Sequence, residues 1–123
     1  MFRSCKLLTK APELPATQLK SECYYSMFEG CESLTEAPEL PATELADGCY
    51  WSMFKNTAIK TAPKLPATKL ELTCYCAMFF SCKNLVEAPE LPATELAKNC
   101  YYSMFNGCSS LAKAPVLSAT VLY

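Results

Sequence analysis

The sequence contains no histidine and only three glycines among its 123 residues. Histidine is the ordinary general base near neutral pH, so a cysteine nucleophile in this chain would lack an imidazole partner. Three scattered glycines also cannot supply the glycine-rich loop that cradles a phosphate. We therefore predict that the chain is not an enzyme and that it uses no cofactor.

Neither sign of charge dominates, because the chain has 11 lysines and arginines and 12 aspartates and glutamates. Nucleic-acid binding normally requires a basic patch, so DNA and RNA are not expected partners. No apolar run approaches the roughly 18 residues of a membrane span, and residues 1–25 lack the basic and then apolar order of a secretion signal. The 51% of hydrophobic residues is enough for a continuous core.

What the chain does contain is one unit repeated five times, as in MFEGCESLTEAPELPATELADGCYWS from Met27 to Ser52. The copies occupy residues 1–26, 27–52, 53–77, 78–103 and 104–123, the third being one residue short and the fifth incomplete. A fixed period of this length predicts a solenoid in which each unit buries its apolar face against its neighbours. Because the chain starts in phase with the repeat and stops within a copy, we expect a single domain cut from a longer array.

Each unit contains two kinds of local pattern. Cys49, Tyr50, Met53 and Phe54 have the i, i+1, i+4, i+5 spacing of one face of a short helix. The prolines of the Ala-Pro and Leu-Pro pairs exclude a helix from the other half, where residues 34–37 predict a very short parallel strand. The expected fold class is therefore an α/β solenoid of about five rungs.

The order Cys-x-x-Leu-x-x-Ala, then Leu-Pro, then Leu, and finally Met-Phe-x-x-Cys resembles the BspA-like, treponemal-type leucine-rich repeat over the whole chain. The chain departs from that family by Met in place of Ala before Phe, by Ala37 in place of Ile, and by its added Ala-Pro and Pro-Ala-Thr elements. The resemblance implies a right-handed leucine-rich-repeat-like coil on a bacterial surface-associated, secreted or phage-borne protein. It also implies non-catalytic binding of a protein or glycan.

The nine cysteines recur at the repeat period in two columns. The columns are Cys5, Cys31, Cys82 and Cys108, with Thr57 in the third copy, and Cys23, Cys49, Cys74 and Cys100. We predict small buried free thiols that fill space, with disulfides between rungs or a metal site as alternatives. Cys74 and Cys76 form the one close pair, a residue short of the usual Cys-x-x-Cys, so no metal ligands are assigned.

Charged residues at the position after proline form the first candidate binding column: Glu13, Glu39, Lys64 and Glu90. Stacking would place these side chains on one line, where exposed pairs contribute roughly 0.2 to 1 kcal/mol each. Such a strip either fixes the register of the copies and keeps the surface soluble, or recognises a charged protein partner.

Aromatic residues form the second candidate column, with Tyr25, Trp51 and Tyr102 at equivalent positions and Cys76 in the third copy. Regularly spaced aromatic rings can stack against sugars or anchor a protein partner. The alternative is that these rings simply pack between neighbouring copies.

Three functions are compatible with these patterns: an interaction module for a protein or glycan, a purely structural spacer, and a thiol-rich metal or redox protein. In the fifth copy Val116, Ser118, Val121 and Tyr123 replace the Glu, Pro, Glu or Lys, and polar positions of the earlier copies, and no polar cap follows. Since an uncapped end exposes core side chains, we expect this rung to fray or to associate with a second copy of the chain.

Overall fold

The computed structural model describes residues 2–119 in full and the backbone of 121–122. Within these residues no helix occurs, and the regular strands are β1 (Glu95–Leu96) and β2 (Val121–Leu122). The two strands pair in parallel, with Glu95 opposite Val121 and Leu96 opposite Leu122. The prediction of a leucine-rich-repeat-like α/β solenoid with short helices is therefore wrong.

Runs of overlapping four-residue turns take the place of the predicted helices. We call these runs the turn arms, and they comprise residues 20–31, 46–57, 71–82 and 97–108. In the first arm the Met27 N–H donates to the Tyr24 carbonyl three residues earlier, at 3.2 Å. The next N–H, of Phe28, donates to the Met53 carbonyl of the following copy at 2.9 Å. This alternation runs along the first three arms, whereas a helix bonds each N–H to the carbonyl four residues earlier.

Positive backbone φ angles recur at every fourth residue of the turn arms. These residues are Glu22, Ser26, Gly30, Gly48, Ser52, Asn56, Thr73, Ala77, Ser81, Asn99, Ser103 and Gly107, with φ between 50° and 77°. Alternate turns along an arm each have one of these residues as the third of their four residues. A type II turn requires positive φ at that position. A period of four also places Cys49, Tyr50, Met53 and Phe54 on one side of the chain, which is why their spacing imitated a helix.

Aromatic rings of successive copies stack along the core side of the arms. Phe2, Phe28, Phe54, Phe79 and Phe105 form one column, with ring centroids 5.7 to 5.8 Å apart and ring planes within 10° of parallel. Tyr24, Tyr50, Tyr75 and Tyr101 form a second column with centroids 5.9 to 6.1 Å apart. Equivalent side chains of consecutive copies therefore lie above one another in a continuous core.

Leucine columns close the core from the other side, and Leu34, Ile59 and Leu85 have no exposed surface. Here consecutive copies touch through isolated parallel bridges, such as Lys10 with Glu36 and Thr61 with Glu87. None of the described segments forms a helix that could cross a membrane.

The proline-containing half of each copy lacks the main-chain bonding of the arms. Across 11–16, 37–42 and 62–67, all of which the structure describes, no main-chain hydrogen bond is formed. Each stretch contains two prolines, which have no N–H to donate. These three proline segments are thus not bonded to a neighbouring copy. In the fourth copy the Leu91 carbonyl accepts from the Ser118 N–H at 3.4 Å, and Leu91 pairs with Leu117.

The end of the fifth copy is only partly described. Val116 is 81% exposed and Leu117 is 56% exposed, while Tyr123 lies outside the described residues. Apolar surface is therefore present at this end, and self-association through it stays a prediction.

Candidate functional site

The proline segments form one face of the molecule, which we call the proline face. It comprises the segments around Pro12, Pro15, Pro38, Pro41, Pro63, Pro66, Pro89 and Pro92. Four clefts of about 400 to 490 Å³ lie along it, one between each pair of successive copies. Their walls are mainly proline and alanine, with charged residues at intervals. Recurrent, mostly apolar clefts with a few polar groups are a plausible place for a ligand.

The four charged residues singled out from the sequence all lie on this face and are exposed. Glu13 lines the first cleft and Glu39 lines the first and the second. Lys64 lines the second and the third, and Glu90 lines the third and the fourth. The structure therefore places these four residues along one row of clefts, with Lys64 between two glutamates of the adjacent copies.

Local backbone structure explains why these charges face outward. Leu40 follows Glu39 directly, and it is buried with only 3% of its surface exposed. Leu65 and Leu91 are buried in the same way after Lys64 and Glu90. Proline favours an extended conformation in the preceding residue, and successive side chains of an extended chain point to opposite sides. Burying the leucines thus turns the charged side chains towards solvent.

Charges on the proline face are unpaired, in contrast to those on the arms. Arg3 and Lys55 both contact Glu29, at 3.3 and 3.7 Å, and Lys55 lies 5.2 Å above the centre of the Phe80 ring. No ion pair within the described chain involves Glu13, Glu39, Lys64 or Glu90. The arm charges therefore already stabilise the contact between copies, and those on the proline face remain free to contact a partner.

The predicted aromatic column is only partly assembled. Tyr25 and Trp51 touch edge to face, with centroids 5.3 Å apart and planes at 88°. Tyr25 is 42% exposed and Tyr102 is 65% exposed, and the copy that carries buried Cys76 separates Tyr102 from the Tyr25–Trp51 pair. Perpendicular rings do not form a flat platform for a sugar, so this column is a weaker candidate than the proline face.

The sequence patterns did not predict the stacked tyrosine column, although a tyrosine directly follows each cysteine of the second cysteine column. The hydroxyls of Tyr75 and Tyr101 are buried and have no hydrogen-bond partner in the described chain. Burial raises the pKa of both phenols well above its usual range. These tyrosines are core residues with an unusual polar atom, and they do not line the clefts.

The nine thiols lie apart from one another or in the core, and burial keeps several of them protonated. All nine cysteines are free, and the described residues contain no group of three or more cysteine or carboxylate side chains that could hold a metal ion. Burial raises the pKa of Cys49 and Cys82 to about 11, so both remain protonated near neutral pH. A protonated thiol is neither a good metal ligand nor a nucleophile.

One thiol column instead donates hydrogen bonds between copies. Cys31 donates to the Phe2 carbonyl at 2.9 Å, and Cys108 donates to the Phe79 carbonyl at 3.0 Å. Thr57, which interrupts the column, donates its hydroxyl to the carbonyl of Phe54 in its own copy at 2.9 Å. Cysteine therefore bonds consecutive copies at this position, whereas Thr57 fills the same place with a hydroxyl that bonds locally.

No protein-family model, curated protein or solved structure matches this chain.

Proposed function

We propose that this chain is a non-catalytic binding module and that a protein partner docks on the proline face. The observation that carries the proposal is the file of clefts lined by Glu39, Lys64 and Glu90, whose charges are unpaired. Exposed charges around apolar contacts commonly select a protein partner and speed its association. The clefts supply the apolar part of such a surface.

A protein is favoured over a glycan because the aromatic column offers no flat platform for a sugar. Tyr25 and Trp51 meet at 88° and Tyr102 stands alone. The resemblance to BspA-like repeats supports the same class of activity by its motif order. We accordingly expect a location at a bacterial surface, in a secreted protein or in a phage particle.

A structural spacer is the second candidate, and one observation favours it. The Phe2 to Phe105 column passes through every copy without a break, as a rigid extension would require. A spacer has no need of the unpaired charges on the proline face, which is why we place it second.

The test is selection of a random peptide display library on the immobilised protein, followed by assay of the enriched clones on two variants. The first variant is Lys64→Glu, on the proline face. The second is Lys83→Glu, which makes the same change at an exposed position outside the proline clefts. We expect enriched clones that bind the wild type and the Lys83→Glu variant but not the Lys64→Glu variant. Failure to enrich any clone, or clones indifferent to Lys64→Glu, would contradict docking on this face.

A further inference from the structure

We infer that the partner presents to the proline face an extended polypeptide segment with an acidic side chain between two basic ones. This inference rests on the proposed function and names the partner's chemistry. It is carried by the order of charges along the clefts, by the unbonded main chain beside them, and by the spacing of the copies.

The charge order is set by three consecutive copies. Glu39 and Lys64 share the second cleft, and Lys64 and Glu90 share the third. A partner crossing both clefts meets negative, positive and negative charge in turn. The complementary segment is therefore basic, acidic and basic, and the reversed order would place like charges together at all three positions. Complementary charges fix register and reject wrong partners more than they raise affinity.

The neighbouring clefts differ in charge, which restricts the register further. The first cleft contains Glu13, Glu36 and Glu39 with Lys10 as its single cation. A basic, acidic and basic segment shifted by one copy towards this cleft would oppose its acidic residue to Glu39. Lys64 therefore determines where the acidic side chain of the partner must lie.

An extended segment is favoured because it can use the main-chain groups that the proline segments leave unbonded. The N–H groups of Glu39, Lys64 and Glu90 donate to no main-chain carbonyl in the part of the chain that the structure describes. An extended peptide has free N–H and carbonyl groups for such contacts. A helical peptide has used its own groups internally.

The spacing of the copies agrees with an extended segment. Equivalent phenylalanine rings lie 5.7 to 5.8 Å apart from copy to copy. Side chains on one face of an extended chain recur every two residues, at about 6.6 Å. At the spacing of these core rings, the difference of roughly 0.9 Å per copy adds to about 1.8 Å over two copies, which flexible lysine and glutamate side chains can absorb.

The experiment compares two labelled synthetic peptides of identical composition except for their charged positions. One carries lysine, glutamate and lysine at alternate positions, and the other carries glutamate, lysine and glutamate. Fluorescence anisotropy should show the first binding the wild-type chain about tenfold more tightly, with the preference shrinking as salt is raised. A Glu39→Lys, Lys64→Glu, Glu90→Lys triple variant should prefer the second peptide instead.

Three controls make the outcome decisive. Lys83→Glu should leave the wild-type preference unchanged. Lys64→Glu alone should reduce it to about twofold, because one of the three charge pairs then opposes the first peptide, and this result tests the inference even if the triple variant fails to fold. Equal binding of both peptides to the wild type would overturn the inference, even if library clones still depended on Lys64. Binding of a glycan panel that the triple variant loses would also overturn it, because the partner would then be a carbohydrate.

Discussion

The thiol of Cys31 donates to the main-chain carbonyl of Phe2, which lies in the preceding copy, over 2.9 Å. Cys31 has no exposed surface, so this hydrogen bond is shielded from water. A residue type that looked like a small space-filler in the sequence thus also bonds one copy to the next.

Cys31→Ala should lower the free energy of unfolding by about 1 to 2 kcal/mol, because it removes both the donor and a buried sulfur atom. Cys31→Thr should cost less than half as much, since it fills the space and its hydroxyl can bond the Phe28 carbonyl of its own copy, as Thr57 bonds Phe54. Urea denaturation of the two variants measures the difference. Equal losses would show that the bond from the thiol to the preceding copy, which both variants lack, accounts for the effect.

Ala77→Gly should stabilise the chain by about 0.5 to 1 kcal/mol. Ala77 has φ of 51°, where a side chain is strained and glycine is not. Ala97, which has no positive φ, provides the matched control, and Ala97→Gly should destabilise by a similar amount. Thermal unfolding of both variants should therefore give shifts of opposite sign, and shifts of the same sign would refute the role assigned to the strained position.

Tyr75→Phe should leave stability unchanged or raise it. The Tyr75 hydroxyl is buried without a partner, and desolvating a hydroxyl without compensation is unfavourable. Tyr24→Phe, at the less buried end of the same column, serves as the comparison. A loss of more than about 1 kcal/mol specific to Tyr75→Phe would instead reveal a bound water or another partner for the hydroxyl.

Stability should fall in alkaline solution. Burial raises the pKa of Cys49 from 9.0 to about 11, so the folded chain keeps a proton that the unfolded chain has lost between these values. A raised pKa stabilises the folded state fully below pH 9, and that contribution is lost as pH rises towards 11. Each such thiol contributes a slope of about 1.4 kcal/mol per pH unit in this range.

Denaturation at several pH values from 7 to 11 measures this slope. Cys49→Ala should be less stable than the wild type at pH 7 but should lose stability less steeply above pH 9. An unchanged slope in Cys49→Ala would mean that this thiol does not titrate as its burial requires.

The repeat period predicted which side chains are neighbours, but it did not predict the backbone conformation. Spacing of 25 or 26 residues identified Phe28 and Phe54 as equivalent, and their rings are stacked at 5.7 Å. The short helix was wrong because a turn period of four residues and a helical period of 3.6 cannot be told apart over eight residues. The positive φ angles were signalled only in part, because glycine or asparagine occupies five of the twelve positions and serine, threonine, alanine or glutamate the other seven.

The candidate site could be predicted only in part. The column of Glu13, Glu39, Lys64 and Glu90 was visible in the aligned copies, and all four residues lie on the proline face. The clefts between the copies were not predicted, although the paired prolines already implied missing donors. Whether Tyr25 and Trp51 would form a platform depended on ring orientation, which no pattern in the sequence specifies.

The alternation of N–H donors along the turn arms restricts how the chain can change in length. Inserting or deleting one residue within an arm would shift this alternation by one position. The N–H groups that now bond the next copy would then point back into their own arm. The third copy is one residue short, and its gap falls between Thr57 and Ile59, beyond the last such donor at Asn56. Whole copies can therefore be added or removed without disturbing this pattern, whereas single-residue changes in length are compatible only with the connecting segments.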